Sequence, residues 1–113
     1  MTTQVITLNL IPSGIKPVIH VSQYDKGQTW IFKLLTLQEA FLIPEGSTVE
    51  LQGTNSDGTI FNKTCVYSGN TVTVDVTDEM TACAGKTSAE IRIKKGNDAI
   101  GTQNFSIQIE KKP

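Results

Sequence analysis

The chain has little of what active-site chemistry usually requires. Its 113 residues hold two cysteines, Cys65 and Cys83, and one histidine, His20. A structural zinc site takes about four such ligands gathered together, so these three scattered side chains predict no metal centre. Nucleophilic catalysis needs a nucleophile, a base and an orienting group in contact. His20 lies in the alternating run Ile19-His20-Val21, which predicts a satisfied or solvent-facing strand residue. Asp57, Asp75, Asp78, Glu79 and Asp98 fall mostly in turn-like stretches, where carboxylates serve local backbone hydrogen bonds. No spacing selects two of them as a glycosidase pair. The chain is therefore expected not to be an enzyme, with no catalytic residue.

Charge of one sign is also lacking. The formal net charge is −1, and the basic pairs Lys94-Lys95 and Lys111-Lys112 are balanced elsewhere, which gives no electrostatic case for nucleic acid or an acidic membrane. No run approaches the roughly 20 apolar residues that span a bilayer. Met1-Thr2-Thr3-Gln4 leads directly into a strand pattern, with no basic n-region and no apolar h-region, so no signal peptide is expected. Without a secretion signal the two cysteines are expected as reduced thiols, and the tripeptides Asn62-Lys63-Thr64 and Asn104-Phe105-Ser106 as chance matches to a glycosylation acceptor. Gly53 and Gly58 flank a strand-to-strand turn, not the strand-to-helix junction of a nucleotide loop. No spaced Asp/Asn run makes a calcium loop. No cofactor is expected.

What the chain has in quantity is period-two alternation, centred on residues 43–76. Pro44 and Gly46 punctuate a turn, Val49, Leu51 and Gly53 alternate with polar residues, and Asp57-Gly58 marks a reversal. Phe61 to Tyr67 runs back, Ser68-Gly69-Asn70 turns again, and Val72, Val74 and Val76 alternate with Thr71, Thr73 and Asp75. This predicts a three-stranded meander with one apolar face per strand.

Upstream, Gln4 to Leu10 reads as a strand with Ile6, Leu8 and Leu10 on one face, broken by Pro12-Ser13-Gly14. Val18 to Ser22 follows Pro17 and reads as a short strand near a sheet edge. Tyr24-Asp25-Lys26-Gly27 reads as a turn. Thr29 to Leu35 places Trp30, Phe32 and Leu34 on the face expected to be the densest part of the core. Thr36 to Ala40 is too short to nucleate a helix and reads as a loop or wide hairpin connection to Phe41-Leu42-Ile43.

Downstream, Thr77 to Gly85 carries a cap residue, an acidic first turn and a terminal glycine. It predicts the single short helical turn, near 77–84, with Met80, Ala84 and Cys83 facing inward. Ser88 to Lys94 and Ile100 to Ile109 then form a hairpin around Gly96-Asn97-Asp98. The fold class is all-β: an antiparallel, immunoglobulin-like β-sandwich of about seven to eight strands, with residues 1–113 as a single domain.

One ordered set of segments resembles a known family. Gln23-Tyr24-Asp25-Lys26-Gly27 precedes an apolar strand, and Ile43-Pro44-Glu45-Gly46-Ser47-Thr48-Val49-Glu50-Leu51 precedes Ser56-Asp57-Gly58-Thr59. Gly85 precedes Ser88-Ala89-Glu90-Ile91, and Ile100-Gly101-Thr102-Gln103-Asn104-Phe105-Ser106-Ile107 closes the set. Their order and spacing resemble the N-terminal domain of the baseplate upper proteins of tailed phages that infect Gram-positive bacteria. The resemblance implies an immunoglobulin-like sandwich without enzymatic activity. It further implies a virion structural module, made in the bacterial cytoplasm, that anchors an arm or receptor-binding assembly to the tail-tip hub through contacts with other tail and baseplate proteins. Family members continue into a longer C-terminal part, so the chain is expected to be the N-terminal domain of a longer protein, with room for a homo-oligomer in the full-length form, or else a freestanding version of that domain. For such a module, pairing of an exposed edge is a natural docking mode. The first strand and the Glu90–Phe105 hairpin are the candidate edges. The alternative is a carbohydrate-binding or adhesin-type sandwich, for which Tyr24 and Tyr67 are the candidate aromatic platforms.

Overall fold

The computed structural model describes residues 2–11, 16–25 and 27–112. In chain order the elements are β1 (Thr2–Asn9), β2 (Val18–Ser22), β3 (Gln28–Thr36), β4 (Glu39–Ala40), β5 (Thr48–Thr54), β6 (Ile60–Ser68), β7 (Thr71–Asp75), α1 (Asp78–Thr81), β8 (Gly85–Lys95), β9 (Asp98–Gly101) and β10 (Phe105–Glu110). The expected break at Pro12-Ser13-Gly14, and Lys26 of the expected turn, lie outside the described residues.

Eight strands follow one another along a curled sheet in the order β1-β3-β7-β6-β5-β8-β10-β2. The curl makes two layers. The corner is β6: its residues up to Cys65 pair with β5, and Val66 to Ser68 pair with β7. The first layer is thus β1, β3, β7 and the end of β6, and the second is the start of β6 with β5, β8, β10 and β2. This is the expected all-β sandwich, and the central meander is β5-β6-β7. The two edge pairings, β1 with β3 and β2 with β10, run parallel, while the others are antiparallel. A parallel pair requires a crossover instead of a hairpin, and β1 and β2 lie in different layers.

Alternation decides which residues meet between the layers. Leu8, Trp30, Phe32, Leu34, Val72 and Val74 come from the first, and Ile19, Val21, Val49, Leu51, Phe61, Ile91, Ile93, Phe105, Ile107 and Ile109 from the second; all are buried. Phe32 and Phe105 touch across the middle, with ring centroids 5.2 Å apart and planes tilted by 45°. Burying each such side chain contributes about 1.5–3 kcal/mol. The expected Trp30-Phe32-Leu34 face is fully buried.

Three local readings differ in detail. Leu37 and Gln38 make a tight two-residue connection, with Leu35 paired to Ala40 and Thr36 to Glu39. Leu37 takes φ +59°, a conformation its sequence does not advertise. The return of the last hairpin is two strands. Arg92 opposes Gly101 while Ala89 opposes Phe105, so Thr102, Gln103 and Asn104 face only Glu90 and Ile91 and form a bulge. The Thr102 hydroxyl accepts from the Ile91 amide at 3.1 Å and the Thr102 amide donates to the Ile91 carbonyl at 2.9 Å, which holds the bulge against β8. Lastly, α1 ends at Thr81 with Ala82 as its C-cap, and Gly85 opens β8 at φ +119°. Met80 and Thr81 are buried, whereas Cys83 is half-exposed, not the buried apolar residue that inward-facing periodicity predicts.

Candidate interaction surface

An Asp-Gly reversal, and the glutamines at the heads of the inward rows of β1 and β3, shape one end of the sandwich. At the β5–β6 reversal the Thr59 amide donates to the Asp57 carboxylate at 2.9 Å and holds that carboxyl below its ordinary value. Gly58 supplies the positive φ of +89°. Ser56 Oγ donates to the Ala84 carbonyl at 2.8 Å and lies 3.1 Å from Cys83 Sγ, which ties the reversal to the segment after α1. Cys65 and Cys83 are both free. Burial pushes the Cys65 thiol up to about 11. Among the described residues, no three His, Cys, Asp or Glu side chains gather where they could hold a metal ion, and no helix is long and apolar enough to cross a membrane.

The first strand, an expected docking edge, does not stand free along its length. Side chains and the bulge before β10 tie it to the second layer at two places, which together make a seam. Gln4 donates through Nε2 to the His20 backbone carbonyl at 3.1 Å and lies 3.2 Å from Gln28 Oε1. That same Gln28 oxygen accepts from the Trp30 indole at 3.1 Å, so one buried amide serves the core and the seam together. Further along, the Gln103 amide donates to the Asn9 carbonyl at 2.8 Å and the Asn9 amide donates to Gln103 Oε1 at 3.0 Å. Period-two alternation assigns these glutamines no role. Their signal was positional, since Gln4 and Gln28 each stand two residues before an inward apolar residue.

The two aromatic candidates are not brought together. Tyr24 follows β2 at the α1 end, with φ +57° and 41% of its surface exposed, and its amide donates to Thr81 Oγ1 at 3.2 Å. Tyr67 is half-buried at the opposite end, where β6 turns into β7. Its hydroxyl accepts from the Ser47 amide at 3.1 Å and donates to the Pro44 carbonyl at 3.4 Å. They do not form one platform. His20 is exposed on the outer side of β2.

The two outer faces differ in chemistry. The second layer carries Glu50, Lys86, Glu90, Arg92, Lys94 and Glu110, with ion pairs of 3.1 Å between Lys94 and Glu50 and between Arg92 and Glu90. Such exposed pairs contribute about 0–1 kcal/mol each. The first layer presents Thr3, Val5, Thr7, Thr29, Ile31, Lys33, Thr71, Thr73, Asp75 and Val66, with Val5 59% and Val66 74% exposed. At the end away from α1, Leu37 and Leu42 are 59% and 70% exposed.

Comparison with known proteins places this architecture. The sequence profile of the BppU N-terminal domain, the N-terminal domain of the phage baseplate upper protein, matches residues 2–112. The chain belongs to that family. The match spans essentially every described element, as the resemblance implied. Among solved structures, the N-terminal domain of phage TP901-1 ORF48 is similar over 97% of this chain and 100% of its own, with a TM-score of 0.78 at 14% identity. At that identity the likeness speaks for the fold. No curated protein matches the sequence. As a BppU N-terminal domain, the chain is a phage baseplate structural domain, and its place is with the proteins of the virion tail.

Proposed function

We propose that this domain is a non-enzymatic anchor in the phage tail baseplate, holding an arm or receptor-binding assembly to the tail-tip hub by protein–protein contacts. The observation that carries the reading is the family match across the whole sandwich. The geometry supports a polarity for it. β10 ends at the α1 end, where the Lys112 amide donates to Gln23 Oε1 at 3.2 Å. In this reading the domain is the N-terminal part of a longer protein, and a following arm departs from that end. The hub contact then belongs at the opposite end, where the β3–β4 connection and the segment after it offer Leu37 and Leu42. Exposed leucines on a tight connection and the segment that follows it suit burial in a partner's groove.

The test is retention of purified tail-hub proteins on the immobilised domain. Retention at micromolar concentration is expected, with loss in Leu37→Asp/Leu42→Asp while the thermal melt is preserved. No retention of any hub protein overturns the anchoring reading. Retention by the double variant moves the contact away from the hairpin.

A further inference from the structure

Strand register sets up a row across the outer face of the first layer that the anchoring reading does not use. Val5 is paired with Ile31, Ile31 with Thr73, and Thr73 with Val66. Residues directly paired across strands point to the same side, so these four form one line from β1 to β6. On one side of it runs the line Thr7, Lys33, Thr71 and Ser68; on the other runs Thr3, Thr29 and Asp75. The face is therefore a line of three apolar side chains and Thr73 between two hydroxyl-rich lines, with one cation and one anion displaced to opposite sides. Among the described residues it carries none of the laced ion pairs of the second layer, which solvate a face and oppose its burial.

We propose that this face docks a second copy of the chain, the two sheets packing about a two-fold axis that lies along the Val5–Ile31–Thr73–Val66 line. Charge complementarity selects that occupant. Rotation about this line leaves each strand over its own counterpart and exchanges the two flanking lines. Lys33 of one copy then comes over Thr29 of the second, one strand away from the second copy's Asp75, and the reciprocal pair forms by symmetry. Within one copy Lys33 and Asp75 are roughly 14 Å apart by strand geometry, too far to pair, and Asp75 accepts from the Thr29 hydroxyl at 3.4 Å. Val66 meets Val66, Val5 meets Val5, and the threonine lines face each other, an isologous contact in which each patch is its own complement. Aligned sheets pack about 10 Å apart in this way.

The footprint sets the strength. Four strands about 4.8 Å apart and three lines about 6.8 Å apart cover about 400 Å² per copy, half of what a standard interface buries on each side. The contact is a weak one, with a dissociation constant on the order of 0.1–1 mM, and it gains occupancy where copies are held close together.

Sedimentation equilibrium of this chain between about 10 µM and about 1 mM tests it. A reversible monomer–dimer equilibrium is expected. Val66→Glu sets two carboxylates against each other and abolishes it; the side chain is 74% exposed, so the monomer keeps its fold. Lys33→Asp alone and Asp75→Lys alone each weaken dimerisation about tenfold, since each turns two attractions into two repulsions. The double exchange restores it. A chain that stays monomeric at about 1 mM, a Val66→Glu variant that dimerises like the parent, or a double exchange no better than the singles overturns the proposal. Loss of a hub protein's binding in Val66→Glu, with no self-association of the parent, assigns the face to a different partner and also overturns it. The hub test on Leu37 and Leu42 reads a different end of the molecule, so the two outcomes are separable.

Discussion

Phe61 lays its ring over Gly53, its directly opposed partner on β5. A Cβ built on Gly53 would stand 2.5 Å from Phe61 Cζ and 2.6 Å from Cε2, well inside contact distance. Both residues are buried. Glycine there leaves the space that an aromatic ring fills, the cross-strand arrangement that offsets glycine's weakness in a strand. Gly53→Ala is therefore expected to force the ring out of its place and destabilise the fold by about 1–3 kcal/mol, read as a lowered denaturant midpoint. Gly58→Ala, with open space at its Cβ, carries only the cost of its positive φ.

Gln28 is the second position where one substitution reaches far. Its Oε1 accepts from Trp30 Nε1, its Nε2 donates to Asp25 at 2.8 Å, and Gln4 lies against the same oxygen. Gln28→Leu leaves the buried indole N–H without its acceptor, a loss of about 1–3 kcal/mol. Trp30 is fully buried, so its fluorescence follows the unfolding directly. A Gln28→Leu midpoint equal to that of the parent contradicts this account.

At the seam, Gln103→Ala removes the acceptor for the Asn9 amide. The expected loss is about 1 kcal/mol, with faster hydrogen exchange at Asn9 than at Phe32, which lies within the layer between β1 and β7. Unchanged exchange at Asn9 means the seam is held by other contacts.

Leu37→Gly is expected to stabilise. Leucine at φ +59° carries a steric cost of about 1–2 kcal/mol that glycine avoids, against glycine's greater chain entropy. With its side chain 59% exposed, little packing is lost, and a net gain of about 0.5–1 kcal/mol is expected in a thermal melt.

The two thiols should separate by pH and by reagent. Cys65 is raised by burial from an ordinary value of 9.0 to about 11, so the folded state holds it as a neutral thiol that the unfolded state would ionise. Its contribution to stability is complete below about pH 9 and is lost as the pH rises towards about 11. Relative to the parent, Cys65→Ala should flatten the alkaline decline of the denaturant midpoint over that window. Near pH 8 a thiol reagent should modify the half-exposed Cys83 first, with Cys65 reacting only as the fold opens. Equal labelling rates contradict the burial of Cys65.

The sequence by itself determined the strands and their faces. Val49 and Leu51, Val72 and Val74, and Trp30, Phe32 and Leu34 all sit where period-two alternation puts them, because a pleated strand sends successive side chains to opposite sides whatever it packs against. Turn chemistry at Asp57-Gly58 and Ser68-Gly69-Asn70 was legible for the same local reason. The family's segment order was legible too, since it is itself a property of the sequence. What only the tertiary structure decided is non-local: that β1 pairs in parallel with β3 and β2 with β10 at opposite edges of one curled sheet, that β6 changes layers at Cys65, and that Thr102 opens a bulge before the last strand. Pairing partners are chosen by how all the layers pack at once, and alternation carries no label for them. The same holds for the interaction surface. Val5, Ile31, Thr73 and Val66 are scattered along the chain, and only register places them in one line. Leu37's left-handed backbone is likewise held by the β3–β4 pairing around it, against the preference of its own side chain.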